Sequence, residues 1–190
     1  MIVNKTKLPG LLLIEPEKFQ DKRGFFMETY QQCRYAEAGI DTDFLQDDHS
    51  HSLKGVLKGI HYTITEPQAK LVYISSGSIF DVVVDLRIGS PTYGEWLGIH
   101  LNMATPCQLF IPCGFGHGYC VLSDSADIHY KVSHAYNPSD EGGLNWRDPI
   151  LDIDWPINNP VMKERDKAFP FLSELSELQL PQAHFSTIKS

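Results

Sequence analysis

The run Lys70 to Leu86, KLVYISSGSIFDVVVDL, decides the fold class of this 190-residue chain. Two β-prone runs, Lys70 to Ile74 and Ile79 to Leu86, flank the short polar segment Ser75 to Ser78, which has the composition of a hairpin turn. In the second run, apolar residues at every other position alternate with a set that includes two aspartates. This period of two residues is typical of a strand with one wholly apolar face. We therefore predict a β-hairpin here.

More β-prone runs lie on both sides of this pair. They recur at intervals of about ten residues and are separated by Gly, Pro, Ser and Asp, which is the spacing of an all-β sandwich or barrel. Good helix formers occupy residues 28 to 38 before Gly39, so one helix is expected there. A second, short helix is expected over residues 171 to 180. The other predicted strands are Gly10 to Ile14, Trp96 to Leu101, Gln108 to Ile111, Gly118 to Leu122 and Ala126 to Val132.

The length and composition fit a single folded unit. Hydrophobic residues make up 42% of the chain, enough for a sizeable core. We expect one domain over residues 1–180, with Trp146 and Trp155 as anchors of its last part, and a flexible polar tail over residues 181–190. The N-terminal residues lack the apolar region of a signal peptide, and no apolar run is long enough to span a membrane, so a cytoplasmic location is expected.

Charge and cysteine content exclude other classes. The chain carries 24 acidic and 16 basic residues, a formal net charge of -8. Binding to nucleic acid needs a clustered basic surface and is not expected. The four cysteines form no Cys-x-x-Cys pair, and in a cytosolic chain we expect them to be reduced and apolar rather than bonded in disulfides or to zinc.

A metal site is also not expected. His49 and His51 have the spacing that places two imidazoles on one face of a strand, and His117 could supply a third ligand. No glutamate follows this pair within four residues. We expect His49 and His51 to be solvated or hydrogen-bonded in a loop.

Acid–base chemistry is the remaining candidate. His61 ends one β-prone run and could act as a general base, and Lys70 begins the next and could stabilise the charge on a carbonyl oxygen. Tyr130 alternates with core residues and should point inward, where it could return a proton. The same pattern fits a core histidine, a surface lysine and a core tyrosine, and alone it favours this structural interpretation. Lys58 and His61 can face one pocket only if the strand kinks, and Gly59 is the place for it.

Eight motifs in order resemble one enzyme family, the dTDP-4-dehydrorhamnose 3,5-epimerases, from about Leu8 to Pro170. Each motif alone is weak, but the set is specific. The motifs are FQDKRGFFME from Phe19, QDDHSHS from Gln46, GVLKGIHY from Gly55, QAKL from Gln68, DVVVDLR from Asp81, SPT from Ser90, IPCGFGHG from Ile111 and YK from Tyr130.

The resemblance implies a cupin-type double-stranded β-helix, or jelly roll, with a few short helices, no metal and no cofactor. It implies a homodimer with exchanged strands and a nucleotide-linked 4-keto-6-deoxyhexose as substrate. His61 matches the family's base, Asp166 the carboxylate that orients it, Lys70 the partner of the 4-keto oxygen and Tyr130 the acid. The substrate-binding positions that it implies are Phe19, Arg23, Phe26, Glu28, Gln46, Asp48, Lys58, His117, Tyr136 and Glu141.

Two positions depart from the family's pattern. Lys58 stands where arginine is usual, and Asp48 where asparagine is usual. A lysine cannot reproduce the bidentate phosphate contact of a guanidinium. We expect an epimerase acting at C3 and C5 of dTDP-4-keto-6-deoxyglucose, feeding dTDP-rhamnose synthesis. The alternatives are a single-site epimerase, an enzyme for a GDP- or CDP-linked 4-keto sugar, and a non-catalytic cupin that binds a sugar nucleotide.

Overall fold

Two facing antiparallel β-sheets form the body of the protein in a computed structural model that describes residues 1–183. This arrangement confirms the all-β jelly-roll prediction. The strands are β1 (Ile2–Lys5), β2 (Leu12–Glu15), β3 (Lys18–Asp21), β4 (Gly24–Met27), β5 (Gln46–Leu53), β6 (Leu57–Thr63), β7 (Lys70–Ser76), β8 (Ser78–Asp85), β9 (Trp96–Asn102), β10 (Gln108–Ile111), β11 (Phe115–Val121), β12 (Ser125–Val132) and β13 (Glu141–Gly143). The helices are α1 (Gln32–Glu37) and α2 (Glu164–Lys167), and two 3₁₀ turns cover Leu172–Glu174 and Glu177–Gln179.

The strand order places each site element in a defined sheet. The larger sheet has six strands in the order β1-β2-β10-β7-β12-β5, so β5 is an edge strand. The smaller sheet has five, in the order β13-β6-β11-β8-β9. Strands β3 and β4 pair only with each other and form a separate two-stranded hairpin.

Apolar side chains from both sheets fill the space between them. Val72 and Ile128 from the larger sheet and Val83 and Tyr119 from the smaller one belong to the same buried cluster. Burying one such side chain contributes about 1.5–3 kcal/mol, so this layer is the main stabilising element of the fold.

The C-terminal segment covers the outer face of the smaller sheet. Trp155 packs in a second apolar cluster with Phe80, Val82 and Val84 of β8. The indole of Trp155 donates a hydrogen bond to the carbonyl of Trp146 at 2.9 Å, which confirms the prediction that this residue is an anchor. Both faces of β8 are therefore buried.

The predicted hairpin between residues 70–74 and 79–86 is wrong, although both strands exist. Strand β7 pairs with β10 and β12, while β8 pairs with β11 and β9, so the chain crosses from one sheet to the other at Gly77. Alternation identifies strands but does not say which strand is the neighbour. In the smaller sheet, one face of β8 packs in the cluster between the sheets and the other packs against the C-terminal segment.

The predicted helices are shorter than expected. The side chain of Gln31 accepts a hydrogen bond from the backbone N–H of Arg34 at 2.7 Å, so α1 begins after this cap. The prediction of a helix start near residue 28 is therefore wrong, and only 3₁₀ turns occur within residues 171–180. Residues 181–183 have no regular secondary structure, and the rest of the predicted tail lies outside the described residues. Among residues 1–183, no helix is long and apolar enough to cross a membrane.

Candidate active site

A cavity of about 180 Å³ lies between side chains of the two main sheets. Strands β6 and β13 supply one side of it, and β5, β7 and β12 supply the other. Six residues that the resemblance selected line this cavity. They are Asp48, His61, Lys70, Tyr130, Tyr136 and Glu141, and Tyr62, Thr63, Gln68 and Val132 complete the lining.

A kink in β6 makes the site possible. Gly59 has a φ of +116°, and its pairing with β11 is irregular between His117 and Tyr119. A Cβ on Gly59 would lie 2.6 Å from the Cα of Gly118, so only glycine fits. Because of this kink at Gly59, Lys58 and His61 both point between the sheets even though they are three residues apart, but only His61 lines the cavity.

His61 is held by a carboxylate brought from far along the chain. Its Nε2 atom lies 3.2 Å from Oδ1 of Asp166, which is buried in α2. This contact favours the tautomer with a proton on Nε2, which leaves the Nδ1 lone pair available as a base, whereas the longer 3.4 Å approach of the donor Nη2 of Arg165 to the same nitrogen favours the opposite tautomer. The phenyl ring of Phe169 packs edge-on against the imidazole, with ring centroids 5.6 Å apart. His61 and Asp166 therefore form an oriented dyad.

Arg165 connects the two carboxylates that flank His61. Its Nη1 atom lies 2.6 Å from Oε2 of Glu141, and its Nε atom lies 3.3 Å from Oδ1 of Asp166. Glu141 also accepts a hydrogen bond from the Tyr136 hydroxyl at 3.1 Å, and its Oε1 lies 3.9 Å from Nδ1 of His61. Burial acts to raise the pKa of Asp166, but contacts with His61 and Arg165 hold it below its ordinary value. Sequence reasoning missed Arg165, whose adjacency to Asp166 was the available signal.

Lys70 faces the cavity from the first position of β7. Burial lowers the pKa of its ammonium group, and the negative charges of Glu141, Asp81 and Asp48 oppose that shift. A cationic donor in such a setting stabilises negative charge on a bound oxygen strongly, because little water competes with it. Lys70 is thus suited to hold a carbonyl oxygen that becomes an enolate.

Tyr130 lines the same cavity from β12, between the core residues Ile128 and Val132, as its alternation predicted. Burial raises the pKa of Tyr130 well above its ordinary value, and the neighbouring Tyr119 and Asp81 raise it further. The hydroxyl is therefore protonated at neutral pH and strongly favours recovering a proton once it has lost one. These are the properties of a general acid.

Gln46 and Asp48 occupy the edge strand β5 at the rim of the cavity. The amide of Gln46 donates to Oδ1 of Asp48 at 2.8 Å and accepts a hydrogen bond from the backbone N–H of Tyr136 at 3.1 Å. This brings the loop that carries Tyr136 next to β5. All three predicted residues thus belong to one side of the opening.

Lys58 and His117 are placed differently from the rim residues. The amine of Lys58 donates to Oγ of Ser50 at 2.7 Å, and neither residue lines the cavity. His117 is buried and its Nε2 lies 2.9 Å from Oδ2 of Asp81, which is also buried. Its ring packs edge-on near Tyr130, with centroids 6.1 Å apart. Within one chain His117 supports the wall behind Tyr130.

The remaining predicted residues lie on and after the β3–β4 hairpin, apart from the cavity. Phe19 and Phe26 are 55% and 69% exposed. Arg23 forms a 2.6 Å ion pair with Asp21 at the turn, and its side chain is 84% exposed. Glu28 pairs with Arg34 at 2.9 Å. Within one chain, these four residues do not join the dyad.

The histidine pair considered for a metal is hydrogen-bonded, as expected, but it lies on strand β5 rather than in a loop. Both His49 and His51 approach Oδ1 of Asp127, at 2.8 and 2.9 Å. Hydrogen bonds from His51 and His49 lower the pKa of Asp127. Over residues 1–183, no group of three or more His, Cys, Asp or Glu side chains is arranged to hold a metal ion. All four cysteines are free thiols.

Comparison with known proteins gives consistent matches. The family described as dTDP-4-dehydrorhamnose 3,5-epimerase matches residues 5–174. A dTDP-4-dehydrorhamnose 3,5-epimerase from Shigella flexneri is 47% identical over 169 residues, which are 87% of this chain and 93% of that protein. A dTDP-4-dehydrorhamnose 3-epimerase from Streptomyces niveus is 41% identical and spans 91% of this chain and 84% of its own.

A solved structure agrees with the sequence matches. It is a dTDP-6-deoxy-D-glucose-3,5-epimerase from Legionella pneumophila Philadelphia 1, in complex with dTDP-4-keto-L-rhamnose. The TM-score is 0.93 at 41% identity, and the match covers 98% of this chain and 99% of the other. The chain therefore belongs to the dTDP-4-dehydrorhamnose 3,5-epimerase family.

Proposed function

We propose that this protein inverts C3 and C5 of dTDP-4-dehydro-6-deoxyglucose to give dTDP-4-dehydrorhamnose. The observation that carries the proposal is one cavity lined by an oriented histidine from the smaller sheet and by a lysine and a tyrosine from the larger sheet. A base, an oxyanion partner and an acid are the groups that epimerisation next to a ketone requires. A sensor or scaffold would not need this set.

His61 acts as the base. Its Nδ1 accepts the proton from the carbon next to the keto group, and the electron pair of the broken C–H bond moves onto the 4-keto oxygen. The Asp166 carboxylate at Nε2 stabilises the imidazolium that forms. C3–H and C5–H of a glucose-configured ring lie on the same face, so one base serves both carbons.

Lys70 and Tyr130 complete each inversion. The ammonium of Lys70 stabilises the enolate oxygen while the C–H bond is broken. Tyr130 then gives its proton to the carbon from the face opposite His61, and the enolate returns to the ketone. A new C–H bond forms with inverted configuration, His61 holds the original proton, and Tyr130 is left as a tyrosinate.

Deuterium incorporation tests this function. The protein is incubated in deuterated water with dTDP-, GDP- and CDP-linked 4-keto-6-deoxyglucose, and C3 and C5 are followed by NMR. The proposal predicts exchange and inversion at both carbons of the dTDP-linked sugar. Exchange with none of the three sugars would support a non-catalytic sugar-nucleotide-binding protein instead, and a preference for a GDP or CDP sugar would reassign the nucleotide.

A single-site epimerase is the second candidate, because the Streptomyces niveus relative carries the name of a 3-epimerase at 41% identity. The same experiment separates the two. Deuterium at only one carbon, with the other retaining its hydrogen at long times, would establish the single-site activity.

We also propose that the active form is a homodimer in which the β3–β4 hairpin of each chain reaches its partner's cavity. The hairpin pairs with neither main sheet of its own chain and exposes Phe19, Phe25 and Phe26. Strand β5, at the rim of the cavity, is a sheet edge with unpaired backbone groups. The hairpin carries Arg23, a cation suited to a nucleotide diphosphate.

Mixing two inactive variants tests this arrangement. Arg23→Ala and His61→Asn are each expected to lose activity as pure dimers. When they are unfolded and refolded together, mixed dimers would contain one complete site if Arg23 acts across the interface, and activity would return. No recovery, with mixed dimers verified by mass spectrometry, would contradict a shared site. A mixture of His61→Asn with the double variant Arg23→Ala/His61→Asn is the inactive control.

A further inference from the structure

The proposed base, His61, lies between two carboxylates. Oδ1 of Asp166 is 3.2 Å from its Nε2 atom, and Oε1 of Glu141 is 3.9 Å from its Nδ1 atom. The Asp166 and Glu141 side chains are only 2% and 13% exposed, so water screens their charges weakly. A carboxylate close to an imidazole favours the protonated form of the ring. Two carboxylates without an opposing charge would hold a proton on His61 and leave it without a free lone pair.

Arg165 supplies the opposing charge. Its Nη1 atom lies 2.6 Å from Oε2 of Glu141, its Nε atom 3.3 Å from Oδ1 of Asp166 and its Nη2 atom 3.4 Å from Nε2 of His61. The contact with Glu141 is short and joins two full charges, whereas the approach to His61 is long for a hydrogen bond. Arg165 therefore acts on the imidazole as a nearby positive charge more than as a hydrogen-bond donor.

The surroundings of Arg165 hold its guanidinium group in this place. The central carbon of the group lies 5.6 Å from the centre of the Phe169 ring, which itself packs against the imidazole of His61. Oε2 of Glu141, which Arg165 contacts, also accepts a hydrogen bond from the Tyr136 hydroxyl at 3.1 Å. The guanidinium group is thus fixed beside the ring, although the Arg165 side chain is 48% exposed.

The other charged groups near His61 occur as positive and negative members together. Those across the cavity come from the larger sheet, one pair lies on the strands beside β6, and one pair lies on α2. They are Lys70 and Asp48 in the cavity lining, His117 with Asp81 at 2.9 Å, and Lys167 with Glu164 at 2.6 Å. Tyrosines, ordinarily uncharged near neutral pH, make up the other titratable groups of the lining. Removing Arg165 would leave Glu141 and Asp166 without the cation that both contact.

We propose that Arg165 is a positioning residue that offsets the charges of Glu141 and Asp166, so that His61 begins each cycle with Nδ1 free to accept a proton. This role rests on the proposed function, in which His61 is the base. Arg165 acts on His61 through its charge and through the two carboxylates, without touching the sugar. It thereby sets the lower pH limit of activity.

The pH dependence of kcat/KM tests this role. Label incorporation at C3 and C5 of the dTDP-linked 4-keto sugar is measured in deuterated water along the acid limb, where activity falls with decreasing pH. Arg165→Gln removes the positive charge and keeps a polar side chain. His61 should then bind its proton more tightly, so activity should begin to fall at a pH about one unit higher than in the wild type. The half-exposed position of Arg165 places this shift at the lower end of the usual range for a neighbouring charge.

Further variants make the sign of the shift specific. Glu141→Gln removes one of the carboxylates and should move the acid limb to lower pH. The double variant Arg165→Gln/Glu141→Gln loses one charge of each sign, so its limb should lie within about half a pH unit of the wild-type position. Arg165→Lys keeps the charge and should also leave the limb near that position. Arg147→Gln is the matched control, because Arg147 stacks on Trp146 and bonds to the carbonyl of Asn158, and it should not move the limb.

Opposite shifts in the two single variants that cancel in the double variant would support the proposal. If Arg165→Gln lowers the rate equally at every pH, or changes nothing, the limb stays in place and the proposal is overturned while the epimerase activity stands. Should Arg165→Gln fail to fold, as judged by circular dichroism, Glu141→Gln decides alone, and a limb that does not move to lower pH overturns the proposal. If the wild type incorporates no label at either carbon, the proposed function fails, and this role fails with it.

Discussion

Asp166→Asn measures how much the buried carboxylate contributes to catalysis. In the proposed mechanism, the imidazolium formed on His61 would lie 3.2 Å from Oδ1 of Asp166. The attraction at that distance is about 5 kcal/mol at an effective dielectric constant of about 20 and about 1.3 kcal/mol at that of water. Asp166 is buried and the His61 side chain is 22% exposed, so an intermediate value of about 2–3 kcal/mol is appropriate. This corresponds to a loss of kcat between about 30-fold and about 150-fold.

The Michaelis constant should change little, because the attraction exists only after proton transfer has begun. The assay is the initial rate of deuterium incorporation at C3 and C5 over a range of substrate concentrations. Glu164→Gln is the matched control, since it removes a carboxylate from the same helix that is 88% exposed and pairs with Lys167. A loss of less than about threefold, or a loss found entirely in KM, would refute the role of Asp166 as the orienting partner.

Three other perturbations give distinct results. Tyr130→Phe should still allow deuterium exchange through His61, but no more than about one in a hundred exchange events should invert the carbon. NMR of the recovered sugar measures this share. Burial lowers the pKa of Lys70, so kcat/KM should begin to fall at a pH below the ordinary lysine pKa of about 10.4. Lys70→Arg should move this alkaline limb of the pH profile to higher pH. If the limb stays in place, it belongs to another group. Asp140→Ala should lower the free energy of unfolding by about 3 kcal/mol in urea titrations at pH 7, because hydrogen bonds from Thr65 and Glu66 to the carboxylate are lost. Burial acts to raise the pKa of Asp140, but those hydrogen bonds hold it below its ordinary value, so the difference between wild type and variant should persist above about pH 5 and shrink below about pH 4.

The strands could be predicted because their cause is local. Alternation along β8 and β12 follows from which side chains face the interior, and it shows directly in the sequence. Sheet neighbours depend on long-range packing, which is why the predicted β7–β8 hairpin was wrong while both strands were present. The start of α1 depended on the Gln31 cap, which composition does not reveal.

The residues of the site differ in how far they could be predicted from the sequence. Chain pattern alone suggested His61, Lys70 and Tyr130, but it could not choose between catalysis and core packing. Asp166 is 105 positions beyond His61 in the printed sequence, and only the family resemblance connected them. Arg165 adjoins Asp166 in the sequence, but that adjacency does not reveal its contacts with a separate element, such as the ion pair with Glu141 of β13, so it was missed. No local pattern reports such contacts.

In the proposed mechanism, the two-sheet architecture accounts for inversion. His61 comes from β6 of the smaller sheet, and Tyr130 comes from β12 of the larger one, yet both line the same cavity. A flat sugar enolate lying between the sheets would meet a base on one face and an acid on the other. Lys70 on β7, the neighbour of β12, would hold the oxygen in the plane between them. A site built on one sheet would deliver and remove protons from the same side and would exchange hydrogen without changing configuration. The stereochemical result thus follows from placing the proton acceptor and the proton donor on facing layers of the fold.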